Sequence, residues 1–142
     1  MFVFSGEVNS TEYAFGIVRL KENWEFPKLS CHVQLVNPSK VHGRKHLVHC
    51  IFLTVEAFKR KENIASDQEL ELLVRLAGTK QIKDAIKLLG PKDKAVLVVF
   101  GENAKKCFLD SLEQLAAKEL DESLEKIGEK DAMERAALVG VQ

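Results

Sequence analysis

The sequence predicts an α+β fold: a single domain over residues 1–142, with a small mixed sheet of three to four strands packed with about six helices, including a central helical hairpin. Three observations carry this reading. Ala95 to Phe100 (AVLVVF) is an unbroken apolar run, which marks a strand buried on both faces. Cys31 to Val36 (CHVQLV) alternates apolar and polar residues, as a strand does. Between them, Gly43–Lys61 and Ser66–Gly90 repeat their apolar residues at helical spacing.

The elements follow in order. Phe2 to Val8 predicts a short strand with Phe2 and Phe4 on one face. Asn9-Ser10-Thr11 offers a helix start, and Tyr13, Ile17, Leu20 and Trp24 then form one helical stripe that Pro27 ends. Gly16 weakens that helix by about 1 kcal/mol relative to alanine. Asn37-Pro38-Ser39 is a loop. In the long helix Gly43–Lys61, Leu47, Ile51, Val55 and Phe58 form the buried stripe, and Val48 and Phe52 widen it. Lys59-Arg60-Lys61 suits the negative end of its dipole.

The hairpin Ser66–Gly90 is the organising element. Ser66 is placed as an N-cap with Glu69 completing a capping box, and Leu70, Leu73, Leu76 and Ala77 face inward. Gly78 takes a left-handed conformation to end this helix, and Thr79 caps the next. The second helix turns Ile82, Ala85, Ile86 and Leu89 inward and stops at Gly90-Pro91. After the apolar strand, Ala104–Leu120 is a helix with Phe108, Leu112 and Leu115 inward. Short helices are expected at Leu124–Ile127 and Ala132–Ala137, and the tail Leu138–Val141 reads as an edge strand or a docking element.

Composition narrows the function. The chain is 46% hydrophobic and 30% charged with zero formal net charge, so nucleic-acid binding requires a local basic patch. No apolar run approaches the ~20 residues that span a bilayer, so no membrane partner is expected. The N-terminus carries no basic region with a small-residue cleavage site. The three cysteines, Cys31, Cys50 and Cys107, are widely spaced and read as reduced and buried, in keeping with a cytoplasmic protein.

Catalytic signatures are missing from the sequence: no glycine-rich phosphate loop, no nucleophile elbow and no C-x-x-C pair. No cofactor is expected. His42, His46, His49 and Cys50 are the one constellation with metal-ligand chemistry, and an enzyme dependent on a metal or nucleotide would use the His42/His46/His49 group. The plainer reading puts Cys50 in the buried arc and His49 in solvent. Two basic groups stand out, Lys59-Arg60-Lys61 and Lys80, Lys83 and Lys87. Each also fits a solvated helix face.

Ala77-Gly78-Thr79-Lys80-Gln81-Ile82, followed by Asp84-Ala85-Ile86 and Gly90, resembles the central signature of a known family. That family is the small kinase-binding subunit of the KEOPS complex, the PRPK-binding protein (TPRKB) of animals. Val41-His42-Gly43-Arg44-Lys45-His46-Leu47 resembles its Gly-x-x-His-Leu helix entry, and Glu134-Arg135-Ala136-Ala137-Leu138 its C-terminal ending. The length matches a compact, archaeal-like version. The resemblance implies a non-catalytic subunit that binds and activates the PRPK-type kinase/ATPase subunit. Through the kinase it reaches the threonylcarbamoyl-transferase subunit, and it helps recruit the tRNA acceptor end for threonylcarbamoyladenosine synthesis. On this reading the candidate tRNA contacts are Lys59, Arg60, Lys61, Arg75, Lys80, Lys83, Lys87 and His46. The candidate kinase-docking residues are Arg135, Leu138 and Val139.

Overall fold

The computed structural model describes residues 3–115, 117–120 and 136. In chain order the elements are β1 (Phe4–Val8), β2 (Thr11–Arg19), β3 (His32–Val36), a 3-10 turn (Pro38–Lys40), α1 (Arg44–Lys59), α2 (Gln68–Ala77), α3 (Ile82–Leu89), β4 (Lys94–Phe100), α4 (Ala104–Leu115) and β5 (Lys118–Glu119). The class is α+β, as expected. The chain forms two compact units, one of Met1–Pro38 with Pro91–Ser123 and one of Ser39–Gly90 with Leu124–Gln142.

The first unit holds the sheet, in the order β1-β2-β4-β3, with β5 also pairing with β2. All four pairings are antiparallel, where a mixed sheet was expected. The largest departure is at residues 9–27, expected as a helix. Asn9 and Ser10 both have positive φ, 52° and 60°, and form the two-residue turn of a β1–β2 hairpin. Such a turn matches the right-handed twist of the strands it joins. The residues read as a helical stripe are therefore split. Tyr13 and Ile17 lie in β2, whereas Leu20 and Trp24 fall in the connection that follows. In β2, Ala14 to Val18 is buried on both faces, like β4. Gly6 lies opposite Tyr13, and a Cβ at Gly6 would come within 2.6 Å of the Tyr13 hydroxyl. Glycine is what lets that ring lie across β1.

The register sorts the side chains. Ala14, Val18, Val33, Leu35, Ala95, Leu97 and Val99 share one face with Ala104, Cys107, Phe108 and Leu115 of α4. Phe15, Ile17, Val36, Val96, Val98 and Phe100 occupy the opposite face and are also buried. The helix expected to reach Leu120 ends at Leu115, and Lys118–Glu119 pairs with Val18–Arg19 instead. β1 runs out at Phe4 opposite Phe15, and the edge of β2 beyond it is taken up by β5, with Leu120 N–H donating to the Ile17 carbonyl at 2.9 Å.

The second unit is helical. α1 packs on α2, and α2 packs on α3. In α1 the buried residues form two adjacent rows, His46, Cys50 and Thr54 beside Leu47, Ile51 and Val55. Val48, Phe52 and Phe58 are only partly buried. α2 begins one residue later than expected: Asp67, not Ser66, is its N-cap and accepts from Leu70 N–H at 2.8 Å. Gly78 ends it at φ 69°, ψ 32°, as expected. Thr79 does not cap α3; its hydroxyl accepts from Gln81 N–H at 3.2 Å, and Gln81 is the N-cap. Of the four residues expected inward on α3, Ala85 and Leu89 are buried and Ile82 is half-buried, whereas Ile86 is 48% exposed. The helices expected at Leu124–Ile127 and Ala132–Ala137, and the tail Leu138–Val141, lie outside the described residues, except that Ala136 is helical and buried.

Candidate functional site

The candidate residues that fall within the described range all map to the helical unit, and burial divides them. Lys59 is the last residue of α1, and Arg60 and Lys61 follow it; all three are exposed. Arg60 Nε pairs with Glu56 at 2.7 Å one turn back, an exposed pair that costs the chain little to open. Lys61 sits in the left-handed region at φ 57°, and Glu62 N–H reaches back to the Ala57 carbonyl at 2.8 Å. That is the 6→1 bond of a Schellman end. Thr79 N–H to the Val74 carbonyl, 3.2 Å, closes α2 the same way. Lys80 is half-exposed in the turn, and Lys83 and Lys87 are exposed on α3. Both lysine-bearing helices pack on α2.

Arg75 and His46, read from the sequence as candidate tRNA contacts, do not join that exposed set: both are buried. Arg75 is 3% exposed and lies against Glu71, which is fully buried. Arg75 Nε donates to Glu71 Oε2 at 3.1 Å, and a terminal nitrogen approaches the same oxygen at 3.1 Å. Glu71 Oε1 accepts from Ile64 N–H at 2.8 Å and from Ala65 N–H at 2.7 Å. The other terminal nitrogen of Arg75 donates to the Ala136 carbonyl at 3.4 Å. The pair therefore ties the α1–α2 connection and the carbonyl of Ala136 to α2. A buried ion pair is tolerated when its remaining donors and acceptors are met in this way.

His46 is fully buried, and its Nδ1 accepts from His42 N–H at 3.0 Å, fixing the entry to α1. The His42 and His46 rings lie 5.5 Å apart. Cys50 is fully buried, and burial pushes its thiol well above the ordinary cysteine range, against the opposing charge of Arg75. A thiol held protonated is a poor metal ligand. His49 is half-buried, and burial lowers its pKa from the usual 6.5. Among the described residues no group of three or more His, Cys, Asp and Glu side chains is placed to hold a metal ion, so the His42/His46/His49/Cys50 constellation does not assemble as one. No helix among them is long and apolar enough to cross a membrane. The candidate docking residues Arg135, Leu138 and Val139 lie outside the described residues.

Sequence reasoning missed the Glu71–Arg75 pair. The signal was present: Glu71-Leu72-Leu73-Val74-Arg75-Leu76 puts two opposite charges one turn apart within an arc too apolar to leave both in water.

The architecture is that of a small α+β protein whose helical unit carries exposed cations around a buried charge pair. The chain belongs to the family described as kinase binding protein CGI-121, whose model matches residues 9–137. It is 32% identical over 114 residues to the "Regulatory protein Cgi121" of Methanocaldococcus jannaschii, covering 80% of this chain and 74% of that protein. It is 35% identical over 102 residues to the "KEOPS complex subunit Cgi121" of Pyrococcus abyssi, covering 67% of this chain and 57% of that one. The family resemblance carried by Ala77–Ile82 and its flanks holds.

Proposed function

We propose that this chain is a non-catalytic, regulatory subunit of a KEOPS-type complex, working in the cytoplasm. It binds and activates a PRPK-type kinase/ATPase subunit directly and meets the threonylcarbamoyl-transferase subunit only through that kinase. The observation that carries the reading is the family match across residues 9–137, with relatives named as a regulatory protein and as a KEOPS subunit. The kinase contact is assigned to Arg135, Leu138 and Val139. A second role, contact with the tRNA acceptor end, is assigned to Lys59, Arg60, Lys61, Lys80, Lys83 and Lys87, and the exposure of all but the half-exposed Lys80 supports it.

Pull-down and calorimetry with a cognate kinase subunit test the first role. Leu138→Glu is expected to abolish binding while circular dichroism stays native, because a charge placed in a desolvated interface costs several kcal/mol, enough to lose a micromolar complex. Normal binding by a folded Leu138→Glu variant would remove the tail from the interface; failure of the unaltered chain to bind any such kinase would sink the reading. For the second role, reversing Lys59, Arg60 and Lys61 to Glu should weaken tRNA binding and leave kinase binding intact. Affinity should fall with salt by ~0.7 log units per phosphate contact per decade for a single strand. Unchanged tRNA binding at low salt would leave these cations as a solvated surface.

A further inference from the structure

We infer that Cys31 and Cys107 are a modification site: a thiol pair placed to close into a reversible disulfide that locks the entry of β3 to the first turn of α4. Both belong to the sheet unit, whereas every residue assigned above to the kinase or to tRNA belongs to the other unit. Cys31 immediately precedes β3, and Cys107 lies in the first turn of α4. The turn between β4 and α4 holds them both. Gly101, at φ 129°, packs against Cys31: a Cβ there would stand 3.6 Å from both the Cα and the Sγ of Cys31. Cys31 Sγ donates to the Glu102 carbonyl at 3.0 Å, and Cys107 N–H donates to the Asn103 carbonyl at 3.0 Å. The two side chains share a hydrogen bond and belong to the same core cluster of β2, β3, β4 and α4. Disulfide geometry is specific, so the pair best able to close is one whose side chains already touch. The third cysteine, Cys50, is fully buried in the helical unit, and all three are free.

Closure is an exchange with a small disulfide of the oxidised-glutathione class. One cysteine thiolate attacks it, displacing a glutathione thiolate and leaving a mixed disulfide. The second cysteine thiolate attacks the protein sulfur of that mixed disulfide, and the second glutathione leaves. The two thiol protons end on the two departing glutathiones. The protein gives up two electrons, and the small disulfide is reduced to two thiols. Cys31 is 9% exposed and Cys107 6%, so exchange proceeds as the chain opens, and reducing surroundings keep the pair as a dithiol. The closed loop runs from residue 31 to residue 107 and contains the whole of Ser39–Gly90. A cross-link over so long a loop takes much freedom from the unfolded chain.

The unaltered full chain is the first test. It is incubated to equilibrium in urea near its denaturation midpoint, where it opens and recloses repeatedly, once with a mixture of oxidised and reduced glutathione and once with excess dithiothreitol. After the urea is removed, thiols titrated in denaturant should number three in the dithiothreitol sample and one in the glutathione sample. Peptide mapping should link residue 31 to residue 107. The linked chain should melt roughly 8–16 °C above the reduced one, and dithiothreitol should abolish the difference. Cys50→Ala should show the same link and the same shift, and Cys107→Ala should show neither. Three free thiols in the glutathione sample would overturn the assignment. So would a bond to Cys50, a glutathione adduct that persists on Cys31 or Cys107, or a linked chain that melts no higher than the reduced one.

Discussion

Replacing Gly78 tests the turn around which the helical unit is organised. Gly78 sits at φ 69°, ψ 32°, and its N–H donates to the Val74 carbonyl at 3.0 Å and to that of Arg75 at 3.3 Å. A residue with a Cβ held in this region costs ~1–2 kcal/mol, of which ~0.4–1 kcal/mol is returned because the unfolded chain loses glycine's freedom. Gly78→Ala should therefore destabilise by about 1 kcal/mol. Gly78→Val should cost about 2 kcal/mol, because branching at Cβ is least tolerated there. α1 supplies the converse experiment. Lys61 holds the same position of its own helix end at φ 57°, so Lys61→Gly should stabilise by about 0.5–1 kcal/mol through the same two effects. Urea denaturation followed by circular dichroism reads both as shifts of midpoint at constant slope, and 1 kcal/mol corresponds to roughly 4 °C in Tm at this size. A neutral Gly78→Val, or a Lys61→Gly that destabilises, would refute the assignment of these two helix ends.

The orientation of α3 predicts that Leu89→Ala costs ~2–5 kcal/mol, while Ile86→Ser changes stability by no more than ~0.5 kcal/mol, both read from denaturation midpoints; equal effects would mean the helix is rotated. Burial pushes the Cys31 thiol up to about 12, helped by its contact with Cys107, and pushes Cys50 up as well. Since the thiolate is the reactive form, iodoacetamide at pH 8 should label these cysteines only as fast as the protein opens, and mass-spectrometric detection of prompt native labelling would contradict that. Burial lowers the pKa of His49 from 6.5, so the unfolded chain binds the proton more readily. The stability that neutral His49 permits is present above pH 6.5 and lost as the pH falls towards its folded value. His49→Gln should flatten that part of a stability-against-pH curve, and an unchanged curve would assign the slope elsewhere.

The elements most legible in the sequence are those for which only one period fits. β4 is too short and too apolar for anything but a strand buried on both faces, and the end of α2 required a residue tolerant of positive φ, which Gly78 supplied. Residues 9–27 misled because Tyr13, Ile17, Leu20 and Trp24 fit a helical stripe, while Tyr13 to Val18 equally fits a strand buried on both faces. The deciding feature is the Asn9-Ser10 turn, and Asn and Ser serve a helix start and a left-handed turn equally well. The end of α4 was overextended because pairing with the edge of β2, a tertiary demand, overrides the local preference of residues 116–120. At the candidate site, the exposure of Lys59, Lys83 and Lys87 followed from amphipathic spacing alone. The burial of Arg75 did not, because a Glu and an Arg one turn apart are ordinarily a surface pair. What takes them inside is the set of acceptors and donors brought by residues 64, 65 and 136, which lie together only in the folded chain.

The place of β4 between β2 and β3 sets a timetable for synthesis. β2 and β3 leave the ribosome first, but the strand that bridges them follows only after the whole stretch from Ser39 to Gly90 has been made. In that interval the β1–β2 hairpin can close, while the far side of β2 and the whole of β3 remain open edges rich in apolar side chains, the condition in which nascent chains pair wrongly. The helices made in the meantime form among near neighbours and so form fast, and they fill the wait with structure that does not compete for those edges. Residue 136 emerges later still. The nascent helical unit thus carries Arg75 without the Ala136 carbonyl until that residue has been made.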